Sequence, residues 1–331
     1  MSKTVFLTGG AGYVGSHCAK AFAQAGWRVV VFDNLSRGHR DLVKWGELIE
    51  GDLNDRDALT TALNDVKPDA VAHFAAYAYV AESMSEPGLY YRNNVLGTLN
   101  LLDAMRTANV PHLVFSSSCA TYGRQDALIT EDTAQNPINP YGRSKLMCEQ
   151  MILDYVEAHH LSSVILRYFN AAGCDPEAET GERHDPEPHV IPLAIKGALD
   201  GTFTFNIFGT DYDTPDGTAV RDYIHVTDLA SAHVLAVEHL VAGKPSTVLN
   251  LGTGQGHSVL ELAKAVENVS GRSVPQKFAP RRVGDPPSLV ASADKAKREL
   301  GWHPQHSDLE TILRTAWTWF QAEAKRTETP N

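Results

Sequence analysis

The sequence predicts an α/β protein, a doubly wound parallel sheet joined to a smaller mixed α/β C-terminal unit. Three observations predict it. Short apolar runs without helical period (Val5-Phe6-Leu7, Val29-Val30-Val31-Phe32, Leu113-Val114-Phe115) suit strands buried on both faces. Stretches long enough for helices separate these runs as far as residue 169, so the strands need right-handed crossovers. The first strand and helix meet at Gly9, Gly12 and Gly15, spaced by three.

Taken in order, the first strand holds Val5 to Leu7, a helix covers 16–25 until Gly26 stops it, and a second strand ends on Asp33. After a polar loop, 48–53 reads as a third strand and Asp55 caps a helix through Leu63. A fourth strand covers 69–76, a long helix about 95–108, and a fifth strand 113–118. The Pro- and Asn-rich loop 136–140 leads into a helix over about 141–159, and 164–169 is a sixth strand. The character changes near Cys174. Residues 176–188 are charged and proline-containing, a loop. Beyond them come a helix near 191–200, a strand near 203–208, the polar loop 209–217, a helix over 228–240 and a strand at 247–251. Helices at 261–269 and 310–322 follow. The expected division is 1–174 and 175–331, with part of about 219–251 returning to the first sheet. The second unit should lie over the carboxyl ends of the strands, where open α/β sheets bind ligands.

Composition narrows the partners. A chain of 331 residues, 43% hydrophobic and 21% charged, is long enough for two domains and ordinary for a soluble protein. Its net charge of −11 argues against nucleic acid, and no apolar run is long enough to span a bilayer. Cys18, Cys119, Cys148 and Cys174 show no paired spacing, which fits reduced thiols in a cytoplasm. Met1-Ser-Lys-Thr leads directly into the first strand, so no signal peptide is expected.

The glycine turn has a chemical reading. A strand-to-helix turn offers unpaired N–H groups and a positive helix end to a pyrophosphate. Gly9 allows the turn, Gly12 lets a ligand approach the backbone, and Gly15 lets helix and strand pack closely. The spacing alone is weak, since 25 glycines in 331 residues produce it about 0.1 times by chance. The flanking strand and helix, with Asp33 eighteen residues past Gly15 as acceptor for a ribose diol, point to a Rossmann dinucleotide site. Asp33 would repel a 2′-phosphate and favours NAD; Arg37 and Arg40 nearby leave NADP as the alternative.

Tyr141-Gly-Arg-Ser-Lys145 opens a predicted helix, so phenol and ammonium share a face. The cation, with a positive nicotinamide, should bring Tyr141 down from its ordinary value near 10. Eleven tyrosines and twelve lysines give about 0.4 such pairs by chance, so position decides: this helix follows the strand ending Ser116-Ser117-Ser118.

These residues, with Thr8–His17, Phe32–Leu35, Gly51–Leu53, His73–Ala76, Asn93–Val95 and Phe115–Ser118, resemble the extended short-chain dehydrogenase/reductases. Pro140–Lys145, Arg167–Gly173, Val220–Ala230 and Ala279–Pro286 carry the resemblance further, most closely to the family of UDP-glucose (UDP-galactose) 4-epimerases. The resemblance implies NAD-mediated transient oxidation at sugar C4 through a 4-keto intermediate, interconverting UDP-galactose and UDP-glucose. Tyr141 would take the 4-hydroxyl proton, Lys145 would hold the nicotinamide ribose and tune Tyr141, and Ser118 would hydrogen-bond the 4-oxygen. Tyr13, Val14, Asn34, Asp52, Leu53, Phe74, Asn94 and Tyr168 match further cofactor-binding positions. Asn170, His189, Val190, Arg221, Tyr223, Arg282 and Asp285 match positions for the UDP-sugar. Arg221 and Arg282 would clamp the diphosphate. The family also implies a homodimer packed through helices such as 98–108 and 142–158.

Departures from the family qualify the substrate. Ala78 stands where some relatives carry lysine, and Ala120 brings no hydroxyl to the sequence after Ser118. Leu289 stands where relatives often place tyrosine, which leaves UDP-N-acetylhexosamines and UDP-pentoses (xylose, arabinose) as alternatives. A nucleotide-sugar dehydratase or decarboxylase would share fold and cofactor. Dehydratases usually place an Asp-Glu pair where Cys119 and Ala120 stand, because elimination needs an acid and a base. A non-catalytic NAD-binding module would need neither the Tyr-Lys pair nor a clamp. No metal is expected, because two prolines within His184-Asp-Pro-Glu-Pro-His189 preclude a helical ligand face.

Overall fold

A computed structural model describes residues 2–125, 127–282 and 286–328. Seven parallel strands form its central sheet. Six are β1 (Thr4–Thr8), β2 (Arg28–Asp33), β3 (Glu47–Glu50), β4 (Ala70–His73), β5 (His112–Ser118) and β6 (Ser162–Tyr168). The seventh, Thr247–Leu251, returns from the later part of the chain to pair with β6. The order is Thr247–Leu251, β6, β5, β4, β1, β2, β3, so the winding reverses at β1 and opens a crevice above β1 and β4.

Burial on both faces explains the strand sequences. Val5, Leu7, Val29, Val31, Ala70, Ala72, Val114 and Val164 face one core layer, packed on Phe22 and the helix Val226–Val241. Their neighbours Phe6, Val30, Phe32, Val71, Leu113, Phe115 and Ile165 face the other, against Leu59, Leu101, Met105 and Ile152. Successive side chains alternate between two apolar layers, so no polar position interrupts the run.

Boundaries shift where tertiary contacts prevail. β3 ends at Glu50 and β4 at His73, so 51–53 and 74–76 are released as loops over the crevice. The helix expected from about 95 begins earlier as the short helices Val80–Ser85 and Pro87–Tyr90 and a π-helical turn, Tyr91–Leu96, before Gly97–Thr107. Asp55 caps Arg56–Val66 by accepting from the Ala58 N–H at 3.0 Å.

Small sheets and helices cover the carboxyl ends of the strands. Asn170–Ala172 pairs with Tyr223–His225, and Phe205–Phe208 with Gln276–Ala279. Val220–Arg221 lies between His257–Ser258 and Ser288–Leu289. The helices Val190–Asp200, Val259–Ser270 and Leu309–Glu328 close around Ile191, Ile195, Phe205, Leu262, Ile312 and Trp319. No described helix is long and apolar enough to cross a membrane.

Candidate active site

A cleft of about 1190 Å³ lies between the sheet's carboxyl edge and this cover. Its floor begins at the glycine turn. Gly9 has φ +75°, and a Cβ there would strike the Ala75 backbone, while one at Gly15 would strike the Gly9 carbonyl. Gly12 caps the helix Tyr13–Gln24 with no side-chain partner, and no acidic residue occupies the first turn. The helix therefore meets the cleft with open N–H groups and its positive end.

Asp33 accepts from the N–H of Ala11 at 3.0 Å and of Leu35 at 2.8 Å, one to each carboxylate oxygen. Each oxygen keeps a lone pair for a ribose hydroxyl. Burial raises its pKa, and the two N–H donors oppose that shift. Arg37 is held by Glu82 at 2.6 Å and lies over Tyr79 and Tyr77, and Arg40 pairs with Glu50. Both guanidiniums that could have met a 2′-phosphate are thus engaged elsewhere. Asn34 donates to Asp52 at 2.8 Å. Burial pushes Asp52 up, but hydrogen bonds from Asn54 and Asn34 outweigh it and hold the carboxyl low.

Tyr13, Val14, Leu53, Phe74 and Tyr168 also line the cleft. The Tyr13 hydroxyl donates to the Gly173 carbonyl at 2.5 Å, tying the glycine turn to the chain beyond β6. Asn94 does not line the cleft; its neighbour Asn93 does. The Asn94 side chain is buried, accepting from the Tyr77 N–H at 2.9 Å and donating to the Tyr77 carbonyl at 3.0 Å, and so supports the wall from behind.

The helix Pro140–His159 places the Tyr-Lys pair. Asn139 caps it through the Gly142 N–H at 2.8 Å, Pro140 is its first residue, and Gly142 packs on the Ala120 carbonyl where a Cβ would clash. Ser118, at the end of β5, accepts from the Ala120 N–H at 3.2 Å and faces the cleft with Tyr141 and Lys145.

Within the chain alone, burial dominates the electrostatics of the pair. Burial pushes Tyr141 up to about 12, with the Ser118 hydroxyl opposing, so the phenol holds its proton. Lys145 exerts no counterpull, because its Nζ donates to the Ser116 carbonyl at 2.7 Å and lies over Phe115. Burial lowers Lys145 to about 8, against Cys148 and Glu149, which raise it. Desolvation is thus the largest influence on both groups.

On the far side, Asn170, His189, Val190, Arg221, Tyr223, Arg282 and Leu289 line the same cleft. Arg221 donates to the carbonyls of Val220 (2.7 Å) and Pro286 (2.9 Å). Asp222 is occupied by the N–H groups of Thr253, Gly254 and Ala291. Arg282 is exposed and stacks over Phe208 at 4.1 Å. Asp285 lies outside the described residues.

Behind β5 lies a network the sequence reading did not identify. Glu149 pairs with Arg167 at 2.6 Å and accepts from Ser117, while Arg167 donates to the Tyr122 hydroxyl at 2.8 Å. Its signal was available: Glu149 follows Lys145 by four residues, as Lys145 follows Tyr141, so one face of an otherwise packed helix is polar. Glu182, His184 and Glu187 also reach the cleft. The charged loop 176–188 gave no period from which to place them.

This crevice, with its open helix end and buried Tyr-Lys pair, invites comparison. Residues 5–252 match the model of the NAD dependent epimerase/dehydratase family. The chain belongs to that family. Membership makes it an NAD-dependent enzyme of the extended short-chain dehydrogenase/reductase class, and the engaged Arg37 and Arg40 agree with that cofactor. A relative from Rhizobium leguminosarum bv. trifolii, UDP-glucose 4-epimerase, is 53% identical over 318 residues, covering 96% of this chain and 97% of the relative. The structure of UDP-glucose 4-epimerase from Brucella ovis in complex with NAD superposes with a TM-score of 0.94 at 52% identity, covering 96% and 98% of the two chains. That of UDP-glucose-4-epimerase from Stenotrophomonas maltophila, with bound NAD and formylated UDP-arabinopyranose, gives 0.95 at 41%, covering 98% and 99%.

Proposed function

We propose that this chain interconverts UDP-galactose and UDP-glucose by transient oxidation at sugar C4. The observation that carries the proposal is that Tyr141, Ser118 and Lys145 face one cleft that joins the glycine turn to Arg221 and Arg282. The close relatives of that name, nearly coextensive with this chain, support the same reading.

Bound NAD supplies the acceptor, and then the donor, of the C4 hydride. Tyr141 removes the 4-hydroxyl proton as C4 is oxidised and returns it after the 4-keto sugar has turned over in the cleft. Ser118 hydrogen-bonds the 4-oxygen and passes its proton to Tyr141. Lys145 would hold the nicotinamide ribose, and its charge would favour the phenolate of Tyr141. Gly9, Gly12, Gly15 and Asp33 would hold the dinucleotide, with Asp52 and Leu53 on its adenine side. Arg221 and Arg282 hold the sugar's diphosphate, while Asn170, His189, Val190 and Tyr223 line its path. Asp285, by family match, holds a ribose hydroxyl.

The same reading takes 1–174 as the NAD-binding unit and 175–331 as the sugar-binding one. It places the protein in the cytoplasm, as its free cysteines favour. It also assembles the chain as a homodimer, for which the exposed Leu96, Met147 and Leu153 on or beside the two expected helices provide apolar contacts. A second substrate class is favoured by one residue: Leu289 lines the cleft, and a side chain smaller than tyrosine there would admit an N-acetyl group. Incubation with 4-deuterated UDP-galactose tests the reaction. UDP-glucose should form with its label retained. Loss of deuterium to water, or a 4-keto-6-deoxy product, overturns the proposal.

A further inference from the structure

The loop after Cys174 gathers four side chains that no part of the proposed reaction needs together. Glu182, His184, Glu187 and His189 each bring one donor atom within 4.8 Å of the other three. His189 Nδ1 lies 2.8 Å from Glu182 Oε1 and 2.8 Å from Glu187 Oε1. His184 Nδ1 lies 3.3 Å from Glu182 Oε1 and 3.5 Å from Glu187 Oε2.

Neutral hydrogen bonds alone do not account for this convergence; with protonated imidazoles the cluster is an ion-pair network, whose protons a metal would displace. A ring Nδ1 carries at most one hydrogen, yet His189 has two carboxylate oxygens equally near and makes a hydrogen bond with Glu187 only. His184 Nδ1 is buried and hydrogen-bonds to neither carboxylate. Glu182 is itself buried at 4% exposure, so its charge must be met within the cluster. One donor atom from each residue lies within 4.8 Å of the others, close enough for the four to converge on a single cation. With the imidazole protons displaced, two carboxylates and two neutral imidazoles would balance one divalent cation. Two imidazole nitrogens and two carboxylate oxygens are a donor set that zinc takes. Around them stand the rings of Tyr13 and Tyr79, and Arg37 over Tyr79 is paired with Glu82 rather than with the cluster.

We propose that Glu182, His184, Glu187 and His189 form a zinc site that staples this loop to the start of the helix Val190–Asp200, where His189 is the N-cap residue. The prolines that rule out a helical ligand face do not rule out this site, because a loop rather than a helix brings the donors together. Zinc at Nδ1 leaves the His189 proton on Nε2, so the ring keeps an N–H for the cleft. That last consequence rests on the function proposed above; the site itself does not.

The test uses the NAD-loaded protein, dialysed against chelator, then titrated with zinc chloride by calorimetry and with cobalt chloride by visible absorption. One zinc per chain should bind with submicromolar affinity. Cobalt should give the intense bands of tetrahedral coordination. Uptake should release protons and weaken as pH falls, since zinc competes with the imidazole protons. His184→Gln and Glu187→Gln should each weaken binding at least tenfold, with NAD content and circular dichroism confirming that both variants fold. Absence of uptake, equal affinity in both variants, or a weak octahedral cobalt spectrum would overturn the site. None of these readouts involves turnover, so failure here leaves the epimerase reading intact, and the reverse also holds.

Discussion

Lys145 Nζ is hydrogen-bonded to the Ser116 carbonyl at 2.7 Å, inside the sheet edge rather than over the cofactor floor. The lysine expected to activate Tyr141 is therefore engaged by backbone.

Tyr141→Phe should lower UDP-galactose conversion by about 10²–10⁴-fold, the usual contribution of a positioned acid–base group, while NAD content is unchanged. Steady-state kinetics with cofactor quantitation measures this, and near-normal turnover would remove Tyr141 from its role.

The Tyr141 phenol, pushed up to about 12 by burial, should titrate at lower pH once NAD is bound. Phenolate difference absorbance, with Tyr141→Phe as the blank, reads the shift. The sign for stability follows. Between the unfolded value of 10 and the folded one, only the folded chain keeps this proton, so the phenol costs stability as pH rises through that window. Tyr141→Phe without NAD should lose less stability there than the parent does.

Lys145→Met should abolish activity yet stabilise the NAD-free protein at neutral pH. Folding lowers this ammonium from 10.5 to about 8, so the unfolded chain binds the extra proton between those values. The penalty is complete below pH 8 and fades as pH rises towards 10.5. Denaturant unfolding at pH 7 and pH 10 should show the variant's advantage shrinking; an advantage that grows would contradict the assignment.

Glu149→Gln leaves the Arg167 guanidinium buried without its counter-charge and should cost about 3–5 kcal/mol in urea unfolding. Glu149→Leu combined with Arg167→Met should cost less than the single change, because no charge is stranded.

Leu289→Tyr should depress turnover of UDP-N-acetylhexosamines more than that of UDP-galactose. Parallel kcat/KM measurements on both sugars decide it, and equal losses would show that residue 289 does not gate the N-acetyl group.

Much of the fold was legible because its causes are local. Two-faced strands have no polar phase, Gly9 needs a positive φ, and Asp55 and Asn139 cap helices from one turn away. The short helices after β4 were not legible, since 80–96 has weak local signals and is held by contacts such as Asn94 to Tyr77 and Tyr90 to Tyr79. The site residues divide in the same way. The glycine turn and the Tyr-Lys spacing are visible in one dimension, whereas Arg37's pairing with Glu82 and Arg167's with Glu149 join positions 45 and 18 residues apart.

The sequence by itself determined the order of strands and helices, the dinucleotide turn and the Tyr-Lys spacing, because each depends on neighbours within a few residues. Only the tertiary structure decided the protonation of Tyr141 and Lys145, the seating of Asn94 behind the wall, and the meeting of two glutamates with two histidines. Desolvation and long-range convergence depend on what the folded chain places around a group, which no local pattern records.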